Sequence, residues 1–182
     1  MTRYHPALVA LHWVMAIMIL MGLFFGKFVL TAMDNADPEK VQGLGGHMTI
    51  GLLVGVLLVA RLIVRFASEK PPHAETGHAV LDRLGAATHW VLYSLVALMV
   101  LSGLGTALGG GLFPIVFGGS GDPIPADLND LAPRMAHGLV SNLLILLLLL
   151  HVAAALYHQF FLRDGLFGRM WFGKRKLSEA DQ

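Results

Sequence analysis

The sequence predicts an all-α integral membrane protein, a bundle of four spanning helices around internal binding sites. Three observations predict it. First, 55% of the 182 residues are hydrophobic and only 14% are charged, against about 25% in soluble domains. Second, four stretches are long and apolar enough to cross a bilayer. Third, histidines recur inside those stretches at helical spacing, and ionisable side chains in a membrane interior generally mark a site. A soluble helical bundle would give each helix a polar outer face. The leucine run Leu146 to Leu150 offers none.

The first span covers about 7–30 and carries His12 and, near its end, Lys27. The second covers about 47–66; it opens on His47 and ends on Arg61 and Arg65, which are placed to snorkel. The third, about 84–108, contains His89, and the fourth, about 135–162, contains His137 and His151, fourteen residues apart. At about 100° per residue fourteen steps make just under four turns, so these two imidazoles share one face about 21 Å apart along the axis. The linker 31–46 carries Asp34, Asp37 and Glu39. The linker 109–133 is rich in Gly and Pro and long for a loop, hence functional or mobile. Residues 163–182 form a short basic tail. No repeat, nucleotide or flavin domain, or nucleic-acid motif is visible, so one domain embedded in lipid is expected.

Charge sets the orientation. An even number of spans puts both termini on one side, together with the loop between spans two and three. That side holds Arg3, Arg61, Arg65, Lys70, Arg83 and five basic residues of the tail, ten of the 13 Lys and Arg. The positive-inside rule therefore predicts cytoplasmic termini. No cleavable signal is expected, since only Arg3 precedes an apolar stretch longer than a signal-peptide core.

With that orientation the histidines sort by depth: His12 and His151 in an inner layer, His47 and His137 in an outer one. Two imidazoles facing each other across a bundle can clamp a haem iron from both axial sides, and bundle cores are where such cofactors sit. A zinc site wants three or four close ligands, and pairing by depth supplies two per layer. The chain has no cysteine, which excludes disulfides, thiolate-ligated or C-x-x-C-H haem and iron–sulfur clusters. Small residues follow the histidines at i+4: Gly51 after His47 (with Gly55 at i+8), Ala16 after His12 and Ala155 after His151. They clear room for a cofactor or let helices approach closely. His89 also falls in the inner layer, as a rival axial ligand, a propionate or quinone partner, or a packing residue; the Ala-cleared face of the first span favours His12. His158, seven residues after His151, either hydrogen-bonds a quinone head group or snorkels at the interface. Arg134, one turn from His137, either draws an anion to the outer mouth or pairs with a haem propionate, and Lys27 and Lys40 add to either role. His5, His73 and His78 are expected to be solvated.

Tyr4 eight residues before His12-Trp13, Gly46-His47, the Arg61-Leu-x-x-Arg65 closing span two, the two prolines after it, and the tail HVAAALYHQFFLRDGLFGRM (His151 to Met170) together carry a resemblance. The chain resembles the bacterial cytochrome b561 family, related to the cytochrome b subunits of nickel–iron hydrogenases. The resemblance covers nearly the whole chain and is weakest in 109–133. It implies a four-helix inner-membrane bundle with two haem b groups, His12 and His151 holding the inner iron and His47 and His137 the outer. It also implies a superoxide:ubiquinone oxidoreductase, with periplasmic superoxide as electron donor and ubiquinone reduced at the cytoplasmic end beside His158. The family's basic residue in the loop before span three has no clear counterpart, for His78 and Ala79 stand at the nearest place. The rival expectation is a non-catalytic conduit or anchor between the quinone pool and a periplasmic redox protein. A weaker third is a channel or transporter whose histidines line a water path.

Overall fold

The computed structural model describes residues 3–71 and 79–174. Helix α1 runs Pro6–Phe24 and continues as a π-helical turn over Phe25–Leu30; α2 runs Pro38–Ala67, α3 Ala79–Gly109 and the short α4 Leu112–Val116. Helix α5 runs Ala132–Tyr157, continues as a second π-helical turn over His158–Leu162, and is followed by the short α6, Leu166–Arg169. Four of these helices are long and apolar enough to span a membrane. Their outward faces carry exposed apolar side chains such as Leu20, Val56, Leu101 and Leu149, as a lipid-facing surface requires.

The elements follow local rules. Proline occupies the first turn of α1 and α2, where its missing N–H costs nothing. Asp37 caps α2 by accepting the Glu39 amide at 2.9 Å. That cap starts α2 nine residues before the apolar pattern does, so the second helix is longer than its expected span. His5, expected to be solvated, instead caps α1 by accepting the Ala7 amide at 3.2 Å. His73 and His78 lie outside the described residues.

Helix α1 packs on α2, α2 on α3, and α3 on α5, whereas α5 stands off from α1 and α2. On the side of the bundle away from the termini, a cavity opens among α1, α2, α3 and α5. Midway along the bundle Met15, Val54, Leu58, Val96 and Leu144 form a buried apolar cluster. Leu144 lies seven residues from each of His137 and His151, so this plug separates two layers. A second cluster of Ala107, Leu112 and Ile124 closes the end away from the termini. At the other end residues 166–172 fold back under α1. Arg3 donates to the carbonyl of Gly168 at 2.7 Å, and the Trp13 indole donates to that of Met170 at 2.9 Å.

Candidate functional site

Beyond the plug, away from the termini, His47 of α2 and His137 of α5 face each other with ring centroids 6.1 Å apart and planes at 79°. Nδ1 of His137 lies 3.0 Å from the Met99 carbonyl and 3.1 Å from the Ser102 hydroxyl. A carbonyl only accepts, so Nδ1 carries the proton and Nε2 is left as the ring's lone-pair donor, the arrangement found behind metal-binding histidines. Nδ1 of His47 is buried with no hydrogen-bond partner among the described residues. Glycines press against both rings: a Cβ on Gly26 would lie 2.9 Å from Cε1 of His47, and one on Gly103 would lie 3.1 Å from Cε1 of His137.

Both imidazoles line a cavity of about 340 Å³, within the range of small-ligand sites. Its wall is apolar apart from a few groups, among them Lys27, Lys40 and Arg134. Two of these cations are committed: Lys27 donates to Asn142 at 2.8 Å, and Lys40 to the Met33 carbonyl and Asn35, each at 2.7 Å. Arg134 makes no hydrogen bond or ion pair among the described residues. Of the three, Arg134 alone is left without a polar partner there.

Towards the termini His12 and His89 both approach His151. His12 of α1 and His151 of α5 have centroids 6.4 Å apart at 73°, and His89 of α3 lies 6.0 Å from His151 at 81°. Arg61 is fixed in the same region, donating to the Leu8 carbonyl at 2.7 Å and to the Tyr93 hydroxyl at 2.9 Å. Those two residues lie one turn from His12 and His89 respectively. His158 sits beyond this layer, where the second π-helical turn begins, against Asp164. The histidines grouped by depth are thus in contact, and His89 joins the inner group. Sequence reasoning missed Met99, Ser102, Gly26, Gly103, Asn142 and Asp164; only the glycines left a signal, as small residues at helix crossings.

The donor sets test the expected haem. An iron held between two imidazoles by bonds of about 2.0–2.1 Å, as for imidazole on zinc, places the ring centroids roughly 6 Å apart. The outer pair at 6.1 Å and the inner contacts at 6.4 Å and 6.0 Å fit that requirement. The buried unpartnered nitrogen of His47 and the adjoining apolar cavity fit it also. A three-ligand zinc site does not: His12 and His89 each approach His151, but among the described residues no three ligands converge on a common point.

The sequence profile of the prokaryotic cytochrome b561 family matches residues 3–173. The chain is 32% identical to cytochrome b562 of Cereibacter sphaeroides over 89% of its own length and 90% of the relative's. It is 29% identical to cytochrome b561 homolog 2 of Escherichia coli, covering 92% and 90% of the two chains. It is 23% identical to the probable superoxide oxidase CybB of Yersinia pestis, covering 95% and 98%.

Proposed function

Because the chain belongs to the prokaryotic cytochrome b561 family, and so is a membrane electron-transfer cytochrome of the b-haem type, we propose that it oxidises superoxide outside a bacterial inner membrane and reduces ubiquinone at the cytoplasmic face. In sum, two superoxide anions, one ubiquinone and two protons give two dioxygen molecules and one ubiquinol. The observation that carries this reading is the pair of imidazole layers at opposite ends of one bundle, joined by α5 and separated by an apolar plug. His47 and His137 would hold one haem, His12 and His151 another; the bound group supplies reversible one-electron iron chemistry.

The chain's own residues do the rest. The Met99 carbonyl holds the Nδ1 proton of His137, so that Nε2 faces the cavity. Arg134 raises the local concentration of an anion at the outer mouth. The plug around Leu144 keeps water out of the path between layers. His158, at the inner end, offers a hydrogen bond to the quinone head group. The excess of Lys and Arg on the side of the termini makes that side cytoplasmic.

A second reading is a conduit between the quinone pool and a periplasmic redox protein. Residues 27–46 and 109–137 contain six acidic residues against Lys27, Lys40 and Arg134, a balance that suits a basic protein partner better than an anion. Stopped-flow mixing of the haem-loaded protein with superoxide, with and without ubiquinone, decides between them. The first reading expects rapid haem reduction followed by reoxidation only when ubiquinone is present. Reduction by quinol with none by superoxide selects the conduit.

A further inference from the structure

Past the last span the chain makes a tight turn. The π-helical turn His158–Leu162 ends on Arg163, whose φ of 53° is left-handed, and Gly165 is left-handed too, at 73°. Arg163 is the one non-glycine residue with positive φ among the described residues. Left-handed backbone costs a non-glycine residue roughly 1–3 kcal/mol, and both it and π-turns cluster at functional sites. Here the two reversals bring Asp164 back against His158. Oδ2 of Asp164 lies 2.5 Å from Nδ1 of His158, while Oδ1 accepts the Leu166 amide at 3.0 Å.

Partial desolvation works to raise the Asp164 carboxyl, but the hydrogen bonds from His158 and the Leu166 amide, with Arg169 nearby, hold it below the usual carboxylate range. The carboxylate is thus an acceptor only, and the proton between the two side chains belongs to His158 Nδ1. Nε2 is then the one position of that ring left for a ligand. A carboxylate behind an imidazole does the same work in metal sites and in hydrolase triads, where it fixes tautomer and ring orientation.

We propose that Asp164 is a positioning residue for His158, holding its Nδ1–H and its ring plane so that Nε2 is presented to the carbonyl oxygen of a quinone. The inference rests on the reading of His158 as a quinone contact given above. Its competitor is purely structural: through Leu166, Asp164 would do no more than start the turn that folds the tail under α1.

A double-substitution cycle separates the two. Pre-reduced, haem-loaded protein is mixed with a short-chain ubiquinone, and reoxidation is followed by haem absorbance, with haem content measured in parallel. His158→Gln and Asp164→Asn each slow reoxidation by about ten-fold or more, the loss typical when such a supporting carboxylate is removed, and haem content stays at the wild-type level. The double variant is no slower than His158→Gln alone, because residues acting as one unit are not additive. Asp164→Glu, which keeps the acceptor, recovers part of the rate. Additive losses, an unchanged rate in Asp164→Asn, or loss of haem in that variant would overturn the positioning role while leaving the quinone reading intact. Should the wild-type protein not be reoxidised by ubiquinone, or His158→Gln leave the rate unchanged, the quinone reading itself fails and the inference falls with it.

Discussion

Gly26→Ala should loosen the outer haem and spare the fold. The new methyl would lie 2.9 Å from Cε1 of His47 and 3.3 Å from its Nδ1, inside the carbon contact distance of about 3.5–4.0 Å. The ring must retreat by roughly half an ångström or more to restore that contact. An unliganded imidazole can swing that far cheaply, since it lies at the end of a side chain. If His47 shared an iron with His137 it could not, because its position would be fixed from the far side. Over-packing of this kind costs about 1–3 kcal/mol, which at 1.4 kcal/mol per factor of ten is about 5- to 150-fold in cofactor affinity. Gly46→Ala is the control. It adjoins His47, but its methyl meets nothing within 4 Å, and Ala favours the helix over Gly by about 0.8–1 kcal/mol. Haem per chain by pyridine haemochrome, together with the rate of haem transfer to apomyoglobin, reads the effect. Wild type should hold two haems, and Gly26→Ala should release one of them faster by the factor above. A wild-type transfer rate in Gly26→Ala, or equal loss in Gly46→Ala, would refute the claim that this close approach sets the outer site.

His47→Ala and His137→Ala should each yield one haem per chain with the inner spectrum retained; loss of both haems together would contradict two separable layers. At the inner layer His12→Ala should remove that haem and His89→Ala should keep it, as read by the low-spin b-type spectrum; the reverse outcome would assign the iron to His89 and His151. Arg134→Glu should slow reduction by superoxide about ten-fold at low ionic strength, at the lower end of steering effects. The gap should narrow as salt shortens the screening length below about 10 Å, and a salt-independent gap would point to damage at the site instead.

The four long apolar helices, and the grouping of His47 with His137 and of His12 and His89 with His151, were legible because both depend on periodicity and hydropathy. Fourteen residues on one helix place His137 and His151 on a common face wherever the neighbouring helices stand. The start of α2 was hidden by its cap: Asp37 and Pro38 begin the helix in polar sequence, where no apolar pattern marks it. Contacts depending on the approach of two elements were hidden as well. The Met99 carbonyl behind His137 is a backbone group, and any residue there would supply it. Gly26 sits in the π-helical turn, which shifts the register of its neighbours and carries Lys27 towards Asn142. Asp164 follows His158 by six residues, a spacing that brings no two side chains together in an α-helix; it meets His158 only because Arg163 reverses the chain.

Depth alone left three imidazoles level at the inner end, and helix packing distinguishes them. Helix α3 lies directly against α5, so side chains at equal height on those two helices touch whatever their purpose, and the 6.0 Å between His89 and His151 needs no ligand to explain it. Helix α1 stands off from α5, as α2 does. His12 meets His151, and His47 meets His137, by side chains that span the wider gap between those helices. Both pairs thus join α5 to a helix it does not pack against closely, with His89 on the packed side of the inner one. That asymmetry is the reason to expect His89→Ala to keep its haem.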